Sequence, residues 1–235
     1  MRDATAAEAA KVFEGIYRDV NIALANQLAV ICEELRVDAM EVFNAANTQP
    51  YSHLHIPGCG VGGHCIPVYP YFIIKTVDSD TSLLILSRLI NSNMPQYTVK
   101  AVERLLYKEK APNNPNVLVL GLTFRGGVKE FRYSPALEII RSLERDVHAN
   151  VFAYDPLLKQ GEVEQFAAYL RPEAVKGKDI DAVVIATDHA EFKEINWTDF
   201  GSTMRNRILV DGRQVVDAEK LRECGFTYAG IGRLR

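Results

Sequence analysis

Apolar positions follow two rhythms along this chain, and the change between them falls near residue 111. Behind Thr5-Ala-Ala-Glu8, a capping-box pattern, Val12, Phe13, Ile16, Val20, Ala23, Leu24, Leu28, Ile31 and Leu35 recur at helical spacing. The spacing predicts one amphipathic helix of roughly 30 residues, far above the usual 11–12. Such a stripe needs a helix to cover it, from this chain or from a second subunit. Residues 44–71 are rich in Pro, Gly and His and show no helical period. Helical patterns resume over 82–93 and again behind Pro95, whose ring suits a first helical turn.

Ala111-Pro-Asn-Asn-Pro-Asn116 breaks every period and reads as a linker. Beyond it short apolar runs alternate with helical ones. NVLVLGL (116–122), VFAYD (151–155), DAVVIATD (181–188), RILVDGR (207–213) and FTYAGIG (226–232) read as strands. SPALEIIRSLERD (134–146), EVEQFAAYL (162–170) and DAEKLREC (217–224) read as helices. The expected fold class is α/β: a helical domain over 1–110, a linker over 111–116, and a doubly wound parallel sheet over 117–235. Ligands of such sheets sit at the carboxyl ends of the strands. Those ends carry Thr123-Phe124-Arg125, Asp155, Thr187-Asp188-His189 and Asp211-Gly212-Arg213. Arg125, Lys129, Arg132 and Arg213 could therefore converge on an anion such as a diphosphate, which the planar guanidinium fork meets in pairs of bonds.

With 235 residues, 48% hydrophobic and 24% charged, and a net charge of −3, the chain lacks the basic excess of a nucleic-acid binder. Its longest apolar runs are too short to span a bilayer, and its opening MRDATAAEAAK has no signal-peptide core. Four scattered cysteines, Cys32, Cys59, Cys65 and Cys224, do not make a disulfide framework, so a reduced cytoplasmic protein is expected.

Candidate chemistry concentrates in PGCGVGGHCIP (57–67). Its Gly58, Gly60 and Gly63 spell G-x-G-x-x-G, yet no strand pattern precedes them, and Pro67 and Pro70 forbid an immediate long helix, so the dinucleotide reading fails on context. GLTFRGG after the first strand does not match that fingerprint either. His53, His55, Cys59, His64 and Cys65 lack the paired spacings of a zinc site, and no metal is expected. Glycines beside a cysteine expose backbone N–H groups that stabilise thiolates and oxyanions. The residues alone leave two readings of Cys65 open, a reactive thiol and an inert one.

Several blocks resemble one family, the nucleotide-sugar 6-dehydrogenases, which oxidise a UDP-hexose to the uronic acid with two NAD+. AEAAKVFEGIYRDVNIALANQLA (7–29) is similar to the family's connecting helix with its active-site lysine, here Lys11. PGCGVGGHCIPVYPYF (57–72) resembles the loop of the nucleophilic cysteine, here Cys65. GLTFRGGVKEFRYSPALEII (121–140), DAVVIATDHAEF (181–192), LVDGR (209–213) and GFTYAGIGR (225–233) follow in family order. The resemblance implies a dimer built on the long helix and a Rossmann-like UDP-binding domain over 117–235. Substrate would lie against Gly60, Gly62, Gly63, His64, Phe124, Arg125, Arg132 and Arg213. It implies a C6 aldehyde captured by Cys65 as a thiohemiacetal, a thioester after the second oxidation, and Lys11 as the cation beside the sugar oxygen.

Three departures from the family's pattern stand in the chain. Gly15 stands where an asparagine is common, Val68-Tyr69 where the glucose branch has Lys-Asp, and Arg125 where a lysine is usual. The His64-Cys65-Ile66-Pro67 version of the loop looks more like the UDP-N-acetylhexosamine enzymes, above all the N-acetylmannosamine type. The family also places an NAD-binding domain ahead of the long helix, where this chain begins. The expectation is a chain inactive alone for want of that domain. The alternative is a UDP-sugar-binding dimerisation module without turnover.

Overall fold

In the computed structural model, which describes residues 3–233, helix α1 runs Ala4–Glu34 and takes its cap from Asp3. The Asp3 carboxylate accepts from the Ala6 N–H at 2.8 Å. Thr5 therefore lies inside the helix, and the expected Thr5–Glu8 capping box does not form; a carboxylate two residues earlier satisfies one of the free N–H groups of the first turn. Helix α2 (Ala39–Ala46) is capped in the same way by Asp38, and α3 (Tyr69–Ile74) carries Pro70 in its first turn, where no N–H is needed.

Helix α4 (Ser82–Lys108) is continuous through Pro95, which corrects the expectation of two helices with Pro95 opening the second. An interior proline forfeits a backbone bond. Here packing on both sides carries the helix past it: Met94 is buried among Ala25, Ala29 and Phe43, and Val99 against the sheet.

The remaining elements are β1 (Asn116–Leu120), α5 (Pro135–Asp146), β2 (Asn150–Tyr154), α6 (Gln160–Val163), β3 (Ala168–Tyr169), β4 (Ile180–Ile185), α7 (Trp197–Ser202), β5 (Ile208–Asp211), α8 (Ala218–Glu223) and β6 (Thr227–Gly230). All six strands pair in parallel in the order β3-β2-β1-β4-β5-β6. The order reverses between β1 and β4, so a crevice opens at their carboxyl ends. The period of two is visible in the burial. Val117 and Val119 join α5 and the second half of α4 (Val99, Val102, Leu105, Leu106) on one face, while Leu118 and Leu120 meet Phe192, Trp197 and Phe226 on the other.

The helix expected over 162–170 is one short turn followed by the edge strand β3. The open edge of β2 decides this, since it offers unpaired backbone groups that the segment can bond, as Leu170 N–H does to Ala153 at 3.0 Å. Among the described residues, no helix is long and apolar enough to cross a membrane.

Helix α1 turns a small and polar face inward: Gly15, Asp19, Ala23, Asn26 and Ala29 are buried, while Phe13, Tyr17, Leu24, Ile31 and Leu35 stay exposed. The inward face is held to α4 by a buried ion pair, Arg88 Nη1 to Asp19 Oδ1 at 2.5 Å. Asn91 donates to the same Asp19 oxygen at 2.8 Å, and Asn26 donates to Asn91 at 3.0 Å. Asn26 Oδ1 then accepts the Gly58 N–H at 2.9 Å. One polar chain thus joins α4, α1 and the glycine loop.

Candidate active site

The glycine loop lies across the carboxyl ends of the strands because its glycines let other residues come close. A Cβ on Gly62 would stand 2.7 Å from both Phe124 Cβ and the Tyr133 carbonyl. Gly63, at φ +84°, donates to the Arg132 carbonyl at 3.0 Å. Cys59 donates its N–H to the Gly212 carbonyl at 2.9 Å and is wholly buried, which pushes its thiol up. The loop is clamped between the β1–α5 connection and the end of β5.

The result is a cleft of ≈ 500 Å³. Gly60, Gly62, Gly63, His64 and Cys65 line one wall, and Phe124, Arg125 and Arg213 the other. Arg18 enters from α1, so among the described residues three guanidinium groups share the cleft with one carboxylate, Asp188. That carboxylate is engaged, accepting the Gly126 N–H at 2.7 Å. The site therefore favours an anion. Arg213 is held in place by its Nε, which donates to the Ala186 carbonyl at 3.0 Å.

Cys65 is half-buried, with Sγ 3.3 Å from His64 Nδ1. Its carbonyl accepts from Val68 and Tyr69 N–H groups at 3.1 and 2.9 Å, so it sits one turn before α3 proper. Lys11 is beside the cleft and does not line it: Nζ pairs with Glu14 at 3.1 Å and lies 5.9 Å from the centre of the Tyr69 ring. Two of the expected basic groups stay out. Arg132 contributes its carbonyl to Gly63 while its side chain is exposed outside the cleft, and Lys129 pairs with Glu162 at 2.9 Å. Arg18 was not foreseen, although it lies two helical turns beyond Lys11 and so on the same face. Among the described residues, no group of three His, Cys, Asp or Glu side chains is placed to hold a metal ion.

Beneath Arg125, a buried network fixes the loop that follows β1. Asp155 Oδ2 accepts from the Leu122 and Thr123 N–H groups at 2.8 and 2.9 Å, and lies 3.1 Å from His189 Nε2. Burial works against this carboxylate, but the His189 bond and the backbone donors outweigh it and hold Asp155 at about 2. Asp211, fully buried at the end of β5, is instead pushed up to about 6 by burial, in spite of N–H bonds from Val216 and Arg213.

The two carboxylates act in opposite senses. Asp155 is depressed below its ordinary value near 3.8, so its contribution, on the order of 2 kcal/mol, is complete above that value and lost as pH falls toward about 2. Asp211 is raised, so the folded state gains stability as pH falls from about 6 toward the ordinary value. Urea unfolding of wild type and Asp155→Asn should differ fully above about pH 4 and converge toward about pH 2.

Two models of one family match the chain. The central domain of the UDP-glucose/GDP-mannose dehydrogenase family covers residues 5–94, and its UDP binding domain covers residues 118–218. The chain belongs to the UDP-glucose/GDP-mannose dehydrogenase family. Among this family's members, the chain is 38% identical over 234 residues to the UDP-N-acetyl-D-mannosamine dehydrogenase of Pyrococcus horikoshii, covering 99% of this chain and 53% of that one. It is 33% identical to an NDP-N-acetyl-D-galactosaminuronic acid dehydrogenase of Ralstonia nicotianae, covering 93% of this chain and 50% of that one.

Among solved dehydrogenases of the family, the P. horikoshii UDP-D-ManNAc enzyme superposes with a TM-score of 0.88 at 37% identity, over 99% of this chain and 53% of that one. The Staphylococcus aureus UDP-N-acetyl-mannosamine dehydrogenase gives 0.80 at 33%, over 99% and 52%. The chain thus spans about half the length of the relatives it matches. The expected α/β class and the family resemblance both hold.

Proposed function

We propose that this chain is the part of a nucleotide-sugar 6-dehydrogenase that binds the UDP-sugar, a UDP-N-acetyl-D-mannosamine in the first instance, and presents Cys65 to C6 of the hexose. The observation that carries this reading is the meeting of Cys65 with Arg18, Arg125 and Arg213 in one cleft at the strand ends. In this reading the guanidinium forks of Arg125 and Arg213 take the diphosphate, and the sugar extends along Gly60, Gly62, Gly63 and His64 toward the thiol. The Cys65 sulfur adds to the C6 aldehyde to give a thiohemiacetal. Once that carbon has been oxidised again, the sulfur holds it as a thioester, and water releases the acid and the thiol. Lys11 supplies positive charge near the oxyanion.

NAD is the hydride acceptor this function requires. The described residues do not fit it: β1 leads into GLTFRGG without the glycine pattern, and Gly58, Gly60 and Gly63 lie in irregular chain, packed on Arg213, Pro135 and Phe124. No step through the dinucleotide is assigned to this chain. The exposed Phe13, Tyr17, Leu24, Ile31 and Leu35 support pairing of two copies through α1. The enzyme is taken to work in the cytoplasm.

Calorimetry of the chain with UDP, UDP-N-acetylmannosamine and UDP-glucose tests the reading. Binding heat is expected, together with slower iodoacetamide alkylation of Cys65 when the UDP-sugar is present and dimer sedimentation without ligand. No heat and no protection with any of the three would overturn it. Heat without protection would favour the binding module lacking turnover.

A further inference from the structure

Gly15 lies in the interior of the 31-residue helix α1, where glycine costs about 1 kcal/mol relative to alanine. Its backbone has no positive φ to excuse it. The missing side chain is used by a neighbour. A Cβ at Gly15 would stand 2.4 Å from Tyr69 Cδ2 and 3.2 Å from Cε2, so the tyrosine ring fills the notch. Tyr69 is one helical turn beyond Cys65, with its N–H on the Cys65 carbonyl at 2.9 Å, and long side chains in a first turn lean back toward the residue four earlier. Lys11 Nζ, also on α1, lies 5.9 Å from the ring centre.

From this geometry we infer that Tyr69, seated in the Gly15 notch, is a positioning residue whose phenol donates a hydrogen bond to the Cys65 thiolate. The neighbouring Cys65 sulfur, burial and the charge of that sulfur together raise the phenol; the hydrogen-bond contact already present at Sγ is with His64 Nδ1 at 3.3 Å. A raised phenol stays protonated through neutral and mildly alkaline pH, which is what a donor to a thiolate needs. The other charged groups facing the pair are Lys11 and Glu14 from α1, with Arg18, Arg125, Arg213 and Asp188 in the same cleft as Cys65, while His64 precedes Cys65 on its own loop. Lys11 and Glu14 pair with each other beside the cleft. The phenol is a neutral donor beside these charged groups, and it shares the sulfur with the His64 ring.

The inference rests on reading Cys65 as the nucleophile, but its test needs no nucleotide. Iodoacetamide alkylation of Cys65, followed by peptide mass spectrometry across a pH series, reads that thiol apart from Cys32, Cys59 and Cys224. Tyr69→Phe keeps the ring and the packing and removes only the donor. It is expected to slow alkylation near neutral pH about tenfold and to move the profile to higher pH. Gly15→Ala favours the helix yet evicts the ring, so it should produce the same slowing, and the double variant should be no slower than either alone.

An unchanged profile in Tyr69→Phe would overturn the inference, as would a Gly15→Ala variant that is folded by circular dichroism and reacts like wild type. If UDP-sugars fail to bind while these shifts appear, the proposed function falls and the Tyr69 role stands. The reverse outcome removes only the latter.

Discussion

Arg88→Ala is expected to destabilise the chain by about 3–5 kcal/mol, read as a fall in the urea midpoint at constant slope. The reason is what the substitution leaves behind. Asp19 is fully buried, and burial already pushes its carboxyl up against the opposing pull of Arg88 and Asn91. Without the guanidinium, one of the two must yield: the carboxylate takes a proton, or the α1–α4 seam opens to water. The pair is not fully satisfied even in place, since among the described residues Asp19 Oδ2 and Arg88 Nε have no hydrogen-bond partner. An apolar replacement of both, Asp19→Leu with Arg88→Met, should therefore recover most of the loss. The same network orients Asn26, which holds Gly58, so Arg88→Ala should also loosen the glycine loop, visible as faster amide exchange at Gly58.

This network shows why the packing of the helical half was the least legible part of the fold. The sequence marks the apolar stripe of α1 as the face to be covered, yet the buried face also carries Gly15, Asp19 and Asn26. A polar residue can be assigned inward only once its partner is known, and Arg88 and Asn91 lie far along the chain from Asp19. The sheet was legible because each strand is its own signal: a short apolar run buried on both faces, with Val117 and Val119 on one side and Leu118 and Leu120 on the other. Residues 162–170 were misread for a complementary reason. Their apolar spacing suits a helix turn, but an open edge beside β2 rewards extension, and that edge is a property of the assembled sheet.

The cleft divides in the same way. Cys65, Phe124, Arg125 and Arg213 stand at a loop and at strand ends, where topology alone brings groups together. Arg132 shares the basic segment after β1, but the chain turns at Tyr133 with φ +53°, and the loop offers the glycines its carbonyl. No local pattern distinguishes a residue used for its backbone from one used for its side chain. The departures at Gly15 and Tyr69, read separately in the sequence, turn out to touch each other.

The second large effect concerns the anion. Arg125→Ala and Arg213→Ala should each weaken UDP binding by about thirtyfold, since a charge-assisted bond to a phosphate oxygen contributes about 2 kcal/mol. The double variant should lose several hundredfold if the two forks hold different oxygens, an additive result in calorimetry at fixed ionic strength. The two arginines are not equivalent, however. Arg125 is exposed, so its contribution should fall with added salt. Arg213 is half-buried, tethered to Ala186 and packed under Gly58, so its contribution should survive salt. Arg213→Lys keeps the charge but has neither the Nε that bonds Ala186 nor the fork, and should bind nearly as weakly as the alanine variant, whereas Arg125→Lys should retain most of the affinity. Equal salt dependence and equal tolerance of lysine at the two positions would show that the diphosphate does not lie between them.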